Sequence, residues 1–194
     1  MQTPPDAFRF RSGFACIDLT ATFAWHGRLS GQDRLARPAD LEAWLAASPL
    51  GPTVSAATED DLKLARELRG AIYQLASAPH FGRAVNARDV EYLNAAAGEP
   101  VRGPRLVGDG SPFQTADIDA PREMLGVLAQ QAVRLLGGPL QGRIKECAYP
   151  PCWWLFVDRS RSANRRWCCL QCGQRVASRN YRSRRHGRQP AAGA

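Results

Sequence analysis

The stretch that decides how this chain folds is Cys147-Ala-Tyr-Pro-Pro-Cys152, followed after a 15-residue spacer by Cys168-Cys169-Leu-Gln-Cys172. Two close cysteine pairs joined by a loop of this length can bring four thiolates to one metal ion, because each pair supplies two sulfurs from one turn. The spacing indicates a structural site for Zn²⁺, and iron would fit the same geometry. Because Cys168 and Cys169 are adjacent, the spacing leaves open which of them is a ligand.

The residues around the cysteines add an apolar strand and many arginines. Residues 153–157 form the apolar strand-like run, and Asp158 after it is expected to hold one of the arginines through a bidentate ion pair. A helix is predicted after Cys172. The arginines expected to contact nucleic acid are Arg165, Arg166, Arg175, Arg179, Arg182, Arg184 and Arg185.

The positive charge of the chain lies entirely in this C-terminal segment. Residues 143–194 hold 12 Lys and Arg against 2 Asp and Glu, a net charge of +10, whereas residues 1–142 hold 14 against 16, a net charge of −2. Four thiolates and one Zn²⁺ would lower the charge of the segment only to about +8. A charge this concentrated favours a polyanionic partner.

The remainder of the chain reads as helical. Thr58 followed by Asp61 resembles a capping box, and Pro38 suits the first turn of another helix. Helices are also predicted from residue 15, from Asn86 to near Gly98, and over residues 121–136, with a hairpin around residues 104–115. Leu62, Ala65, Leu68, Ile72, Leu75 and Ala76 repeat at helical spacing and predict the buried face of the helix after Thr58.

These patterns predict a mainly α protein with a small β-hairpin content. A helical N-terminal domain over residues 1–140 precedes a small zinc-finger module of short strands and a basic helix over residues 141–188, and residues 189–194 are expected to be a disordered tail. No apolar run has the ~20 residues of a membrane span, and no secretory signal is recognised. We therefore expect a cytoplasmic protein without membrane contact, whose cysteines stay reduced.

The C-terminal residues resemble the CGNR zinc finger. The matching residues are the run from Cys147 to Ser160, then Arg165-Arg166-Trp167-Cys168, Cys172-Gly173-Gln174-Arg175 and Tyr181-Arg182. The resemblance favours Cys168 as the third ligand, since Cys168 follows Arg-Arg-Trp as the family's ligand does. Two departures are Gln174 in place of the family's Asn, and a second cysteine pair that is one residue closer than usual.

The N-terminal residues resemble the ABATE domain, which accompanies that zinc finger. Cys16-Ile17-Asp18-Leu19-x-x-Thr22 and the run from Leu35 to Leu45 carry this likeness, although Ala21 stands where the family usually has Asn. The resemblance implies a bacterial protein with a structural zinc site, of a kind described as stress-induced transcription regulators.

The favoured function is therefore a transcription regulator that binds duplex DNA. The alternative is a zinc-stapled module that binds an acidic protein or RNA. We do not expect an enzyme, because four cysteines close the metal site and His26, His80 and His186 are scattered. The N-terminal domain could bind a small molecule or form a homodimer.

Overall fold

A computed structural model of the chain describes residues 8–23, 33–51, 55–102, 106–107, 114–115, 120–150, 152 and 154–186. For residues 106–107, 114–115 and 185–186 the description covers the backbone. Helices dominate the described secondary structure, which confirms the prediction of a mainly α fold with little β structure. The predicted disordered tail lies outside the described residues.

The first two helices are short and lie against the core. Helix α1, Ala15–Thr20, is buried along its whole length. The Asp18 carboxylate accepts the backbone N–H groups of Arg11 and Ser12, both at 2.9 Å, so the segment before α1 folds back along it. Helix α2, Pro38–Ala47, begins at Pro38 as predicted, and its buried face includes Trp44.

The capping box predicted at the start of the longest N-terminal helix is confirmed. Helix α3, Glu59–Ser77, begins after Thr58, whose Oγ1 accepts the Asp61 N–H at 3.1 Å while Asp61 Oδ2 accepts the Thr58 N–H at 2.9 Å. These two bonds satisfy backbone donors that a helix start leaves without partners. The periodic apolar face of α3 is buried as expected, apart from the half-buried Leu75.

Two further helices complete the main core. Helix α4, Ala87–Ala97, is capped by Asn86, whose Oδ1 accepts the Arg88 N–H at 3.0 Å. Helix α5, Pro121–Leu136, has the predicted bounds and packs against α1, α3 and α4. Between them, β1 (Leu106–Val107) pairs antiparallel with β2 (Gln114–Thr115), as the predicted hairpin requires.

The second hairpin joins the core to the cysteine-rich segment. After a 3-10 turn at Gln141–Arg143, strand β3 (Ile144–Glu146) pairs antiparallel with β4 (Leu155–Val157). Alternate side chains of a strand point to opposite faces. Accordingly Leu155 and Val157 belong to the main core, whereas Phe156 packs with the cysteines. Strand β4 therefore separates the helical core from the cysteine cluster.

The last helix extends away from this body. Helix α6 comprises Leu170–His186. Over residues 170–184, its buried or half-buried residues are Cys172, Gly173 and Val176, all in the first two turns. Side chains 177–184 are all exposed. The basic helix predicted after the cysteines is thus present, and over residues 177–184 it is exposed to solvent on all sides. Among the described residues, no helix is long and apolar enough to cross a membrane.

Candidate metal centre and basic helix

Four cysteine sulfurs converge at the base of α6. Cys147 follows β3 and Cys152 ends the next turn, where its N–H donates to the Tyr149 carbonyl at 2.8 Å. Cys168 lies just before α6 and Cys172 lies in its first turn. The Sγ atoms of these four residues all lie within 4.8 Å of one another. The structure thus brings together the four cysteines predicted as ligands.

The sulfur spacing suits a tetrahedral ion. Ligand sulfurs at about 2.3 Å from a tetrahedral metal lie about 3.8 Å from one another. The Sγ–Sγ distance is 3.5 Å between Cys152 and Cys168 and 3.7 Å between Cys168 and Cys172. A disulfide, in contrast, requires about 2.05 Å. The four thiols can therefore hold a metal ion without rearrangement of the backbone.

The pKa values of the clustered thiols also favour a bound cation. Hydrogen bonds from Cys152 and Cys168 lower the pKa of Cys147 to about 2, while the contact with Cys147 raises the pKa of Cys168. Burial raises the pKa of Cys172. Thiols this close cannot all ionise unless a positive charge lies between them. A divalent ion with an affinity for sulfur would supply that charge.

The fifth cysteine of the segment lies beside the cluster. Cys169 is half-buried and does not belong to the four thiols that lie within 4.8 Å of one another. Its Sγ lies 3.6 Å from the Cys172 Sγ, and the Arg11 guanidinium donates to it at 3.3 Å. The spacing left open whether Cys168 or Cys169 is a ligand, and the geometry favours Cys168. The contact with Arg11 could not be read from the sequence.

The loop between the cysteine pairs is held by Asp158, and the prediction that Asp158 pairs with an arginine side chain was wrong. Its carboxylate is fully buried and accepts Lys145 Nζ at 2.7 Å, the Arg165 N–H at 2.8 Å, and both the N–H and the hydroxyl of Ser160. Burial alone would raise the pKa of Asp158, but these hydrogen bonds outweigh it and hold the pKa well below its usual range.

The register of β3 and β4 explains why Asp158 pairs with Lys145. Lys145 lies opposite Phe156 in the β3–β4 ladder, and Asp158 follows two residues later on the same face. Diagonal neighbours across an antiparallel pair are within reach of a long side chain. Lys145 also donates to the carbonyl oxygens of Ala163 and Arg165, so one ammonium group ties the loop together at three points.

Arg165 also has an internal role that the sequence did not indicate, and its predicted contact with nucleic acid stays a prediction. Its guanidinium donates to the carbonyls of Trp167, at 2.8 Å, and Cys168, and it lies 4.8 Å from the centre of the Phe156 ring. A guanidinium with three such contacts fixes the chain just before the second cysteine pair. Its side chain therefore helps to hold the loop.

The other predicted arginines are exposed wherever the structure describes their side chains. Arg166 stacks on Trp167 at 5.7 Å and Arg175 lies 6.0 Å from the Tyr149 ring. Arg175, Arg179 and Arg182 follow one another at i, i+4 and i+7, so they share one side of α6, hereafter the arginine stripe. Arg184 lies on the opposite side of the helix. The side chain of Arg185 is outside the description.

No acidic group of the described segment neutralises these arginines. Within residues 143–150, 152 and 154–186 the acidic residues are Glu146 and Asp158, and both are buried beside β3 and β4. The arginine stripe and Arg184 form no ion pair with any described carboxylate. The exposed face of α6 is therefore a strongly positive surface mounted on the cysteine cluster.

The fold and the site together define a helical protein that carries a four-cysteine, metal-binding finger. Two family models match it: ABATE, described as "Putative stress-induced transcription regulator", over residues 13–139, and the CGNR zinc finger over residues 143–185. Since the first model spans more than half of the chain, the chain belongs to the ABATE family. The resemblance drawn from the sequence is confirmed. A search of curated proteins finds no match.

Proposed function

We propose that the chain is a DNA-binding transcription regulator whose recognition element is α6, held in place by one structural Zn²⁺. The observation that carries the proposal is the arginine stripe, an exposed row of three guanidinium groups without described acidic partners on a helix fixed at its base. Lys and Arg side chains that meet phosphates release counterions, and this release supplies most of the affinity for DNA.

The dimensions of α6 suit the major groove. Its 17 residues span about 25 Å, and a helix with side chains is about 10–12 Å wide, against a groove of about 12 Å. With the arginine stripe on one side and Arg184 on the other, α6 can reach phosphates of both strands. An arginine directed into the groove could also donate two hydrogen bonds to a guanine.

The proposed zinc is structural. Cys147, Cys152, Cys168 and Cys172 would hold it, and Zn²⁺ would supply the positive charge that lets all four thiols ionise. Four thiolates leave no open coordination position for a substrate or an activated water. The proposed role is accordingly non-enzymatic.

A second candidate function follows from Tyr181. Its side chain is 66% exposed on α6, next to Arg182. Aromatic rings beside arginines stack on unpaired bases, which favours single-stranded RNA as the partner. Tyr181→Ala should weaken binding of single strands in this case and leave duplex binding largely unchanged.

The test is fluorescence anisotropy of zinc-loaded protein with a random duplex, a random single strand and an RNA of equal length, in a salt series. We expect the duplex to bind most tightly at about 50 mM salt and its affinity to fall steeply towards about 200 mM. Absence of duplex binding at the low salt concentration would refute the proposal. A preference for RNA that depends on Tyr181 would establish the second function instead.

The predicted ligand or homodimer contact of the helical domain and the predicted cytoplasmic location remain predictions. Analytical ultracentrifugation of the full chain would determine its oligomeric state.

A further inference from the structure

Cys169 is a thiol of the cysteine cluster that the four-thiol site does not use. Cys169 and the proposed ligand Cys152 are half-buried, whereas Cys147, Cys168 and Cys172 are almost fully buried. Of these two accessible sulfurs, Cys169 is the one outside the four-thiol site, and a cysteine that is partly accessible and not bound to metal is the one that a soluble oxidant attacks first.

Two contacts give Cys169 a reaction partner. Its Sγ lies 3.6 Å from the Sγ of Cys172, three residues further along the start of α6. On the other side, the Arg11 guanidinium donates a hydrogen bond to the same sulfur at 3.3 Å. Cys169 therefore lies between a cationic donor from the N-terminal segment and one of the proposed metal ligands.

We propose that Cys169 is an oxidation site at which a hydroperoxide converts the metal centre to a disulfide and releases the zinc. In the first step the Cys169 thiol attacks the peroxide, the O–O bond breaks, and Cys169 becomes a sulfenic acid while water or an alcohol leaves. In the second step the Cys172 sulfur attacks the Cys169 sulfur, the Cys169–Cys172 disulfide forms, and hydroxide leaves. The peroxide is reduced, and the two sulfurs are oxidised together by two electrons.

Geometry selects Cys172 as the partner. Ordinary disulfides join Cα atoms about 4.4–6.8 Å apart. The adjacent Cys168 cannot meet this condition, because consecutive Cα atoms are about 3.8 Å apart. The Cys169 and Cys172 sulfurs need only approach from 3.6 Å to the bonded distance of about 2.05 Å.

The consequence follows from where Cys172 lies. It is the buried residue in the first turn of α6, next to Gly173, where an added Cβ would lie 3.2 Å from the Trp167 ring. A disulfide at Cys172 leaves three thiols for the metal and removes the ligand that ties α6 to the rest of the finger. This inference rests on the proposed zinc site, and loss of DNA binding upon oxidation rests in addition on the proposed function.

The experiment treats the reduced, zinc-loaded full chain with hydrogen peroxide and follows zinc release with a metal indicator dye. After alkylation of the remaining thiols, tryptic digestion yields the peptide Trp167–Arg175, which contains Cys168, Cys169 and Cys172. As zinc is released, the mass of the wild-type peptide should fall by two hydrogen atoms because a disulfide forms. Treatment with a reductant and added zinc should restore both the thiols and the bound zinc. Cys16, buried in the helical core, should stay reduced as the internal control.

Two variants make the result decisive. Cys169→Ser and Cys169→Ala should both retain zinc and release it about tenfold more slowly, since oxidation must then begin at ligated sulfurs. Release at the wild-type rate in either zinc-loaded variant, or a peptide disulfide that persists without Cys169, would overturn the proposal. If the untreated wild type holds no zinc, the proposed metal site fails, and the peptide mass still tests whether Cys169 and Cys172 form a disulfide.

Discussion

Replacing the arginine stripe tests the role of α6 quantitatively. The triple variant Arg175→Ala, Arg179→Ala, Arg182→Ala removes three exposed guanidinium groups from one side of the helix. Each phosphate contact contributes about 0.9 to the slope of log affinity against log salt on duplex DNA. Three contacts therefore contribute about 2.7 to this slope, and the slope of the variant should be smaller than that of the wild type by this amount.

The slope converts to a measurable difference in affinity. Between about 50 and 200 mM salt the concentration rises fourfold, so a slope of about 2.7 corresponds to a loss of about 40-fold in affinity. Over that range the wild type should lose about 40-fold more affinity than the triple variant. Fluorescence anisotropy with a labelled random duplex can resolve this difference.

The matched control removes the same charge elsewhere. Arg88 in α4 and Arg122 and Arg134 in α5 are also exposed helical arginines, and their triple alanine variant has the same net charge as the stripe variant. Alanine favours helices, so neither variant should unfold, and circular dichroism checks this. Equal salt slopes for the two variants would show that net charge, and not α6, determines binding, and would refute our reasoning.

Three further predictions concern the metal site and the core. Cys168→Ser should abolish stoichiometric zinc binding, whereas Cys169→Ser should leave it intact, as elemental analysis of the purified variants would show; the opposite pattern would reverse the ligand assignment. Trp44→Ala should lower the free energy of unfolding, measured by urea denaturation, by about 3–5 kcal/mol, because Trp44 is only 1% exposed. A loss below about 1 kcal/mol would contradict the burial of this side chain. Thr58→Ala should cost about 1 kcal/mol in the same assay through the lost cap, and Thr58→Ser should cost less.

The helices could be predicted because their signals are local. The residues that cap α3 lie within four positions of one another, and the periodic apolar face and Pro121 set the bounds of α5. The cysteine pairs are equally local, since each pair occupies one turn. The order of the helices and the convergence of the four thiols could therefore be predicted from the sequence.

The interactions that hold the loop of the zinc finger could not be predicted, because they depend on the register of β3 and β4. A lone Asp near many arginines favours an ion pair with arginine on general grounds. The β3–β4 ladder instead places Lys145 diagonally across from Asp158, and Arg165 turns inward onto Phe156. All three residues of β4 are buried and apolar, so the strand has no alternation of apolar and polar residues from which its register could be predicted.

The change of charge near residue 140 does not mark a break in packing. A segment of this length buries too little apolar surface to fold without support. Two features support the segment. The four thiols converge on one side of β4, and on the other side Leu155 and Val157 pack in the helical core. Ser12 extends the junction, since its carbonyl accepts the Val157 N–H at 2.9 Å. The base of α6 is therefore tied to the helical domain through β4, so the orientation of the positive surface depends on how that core is packed.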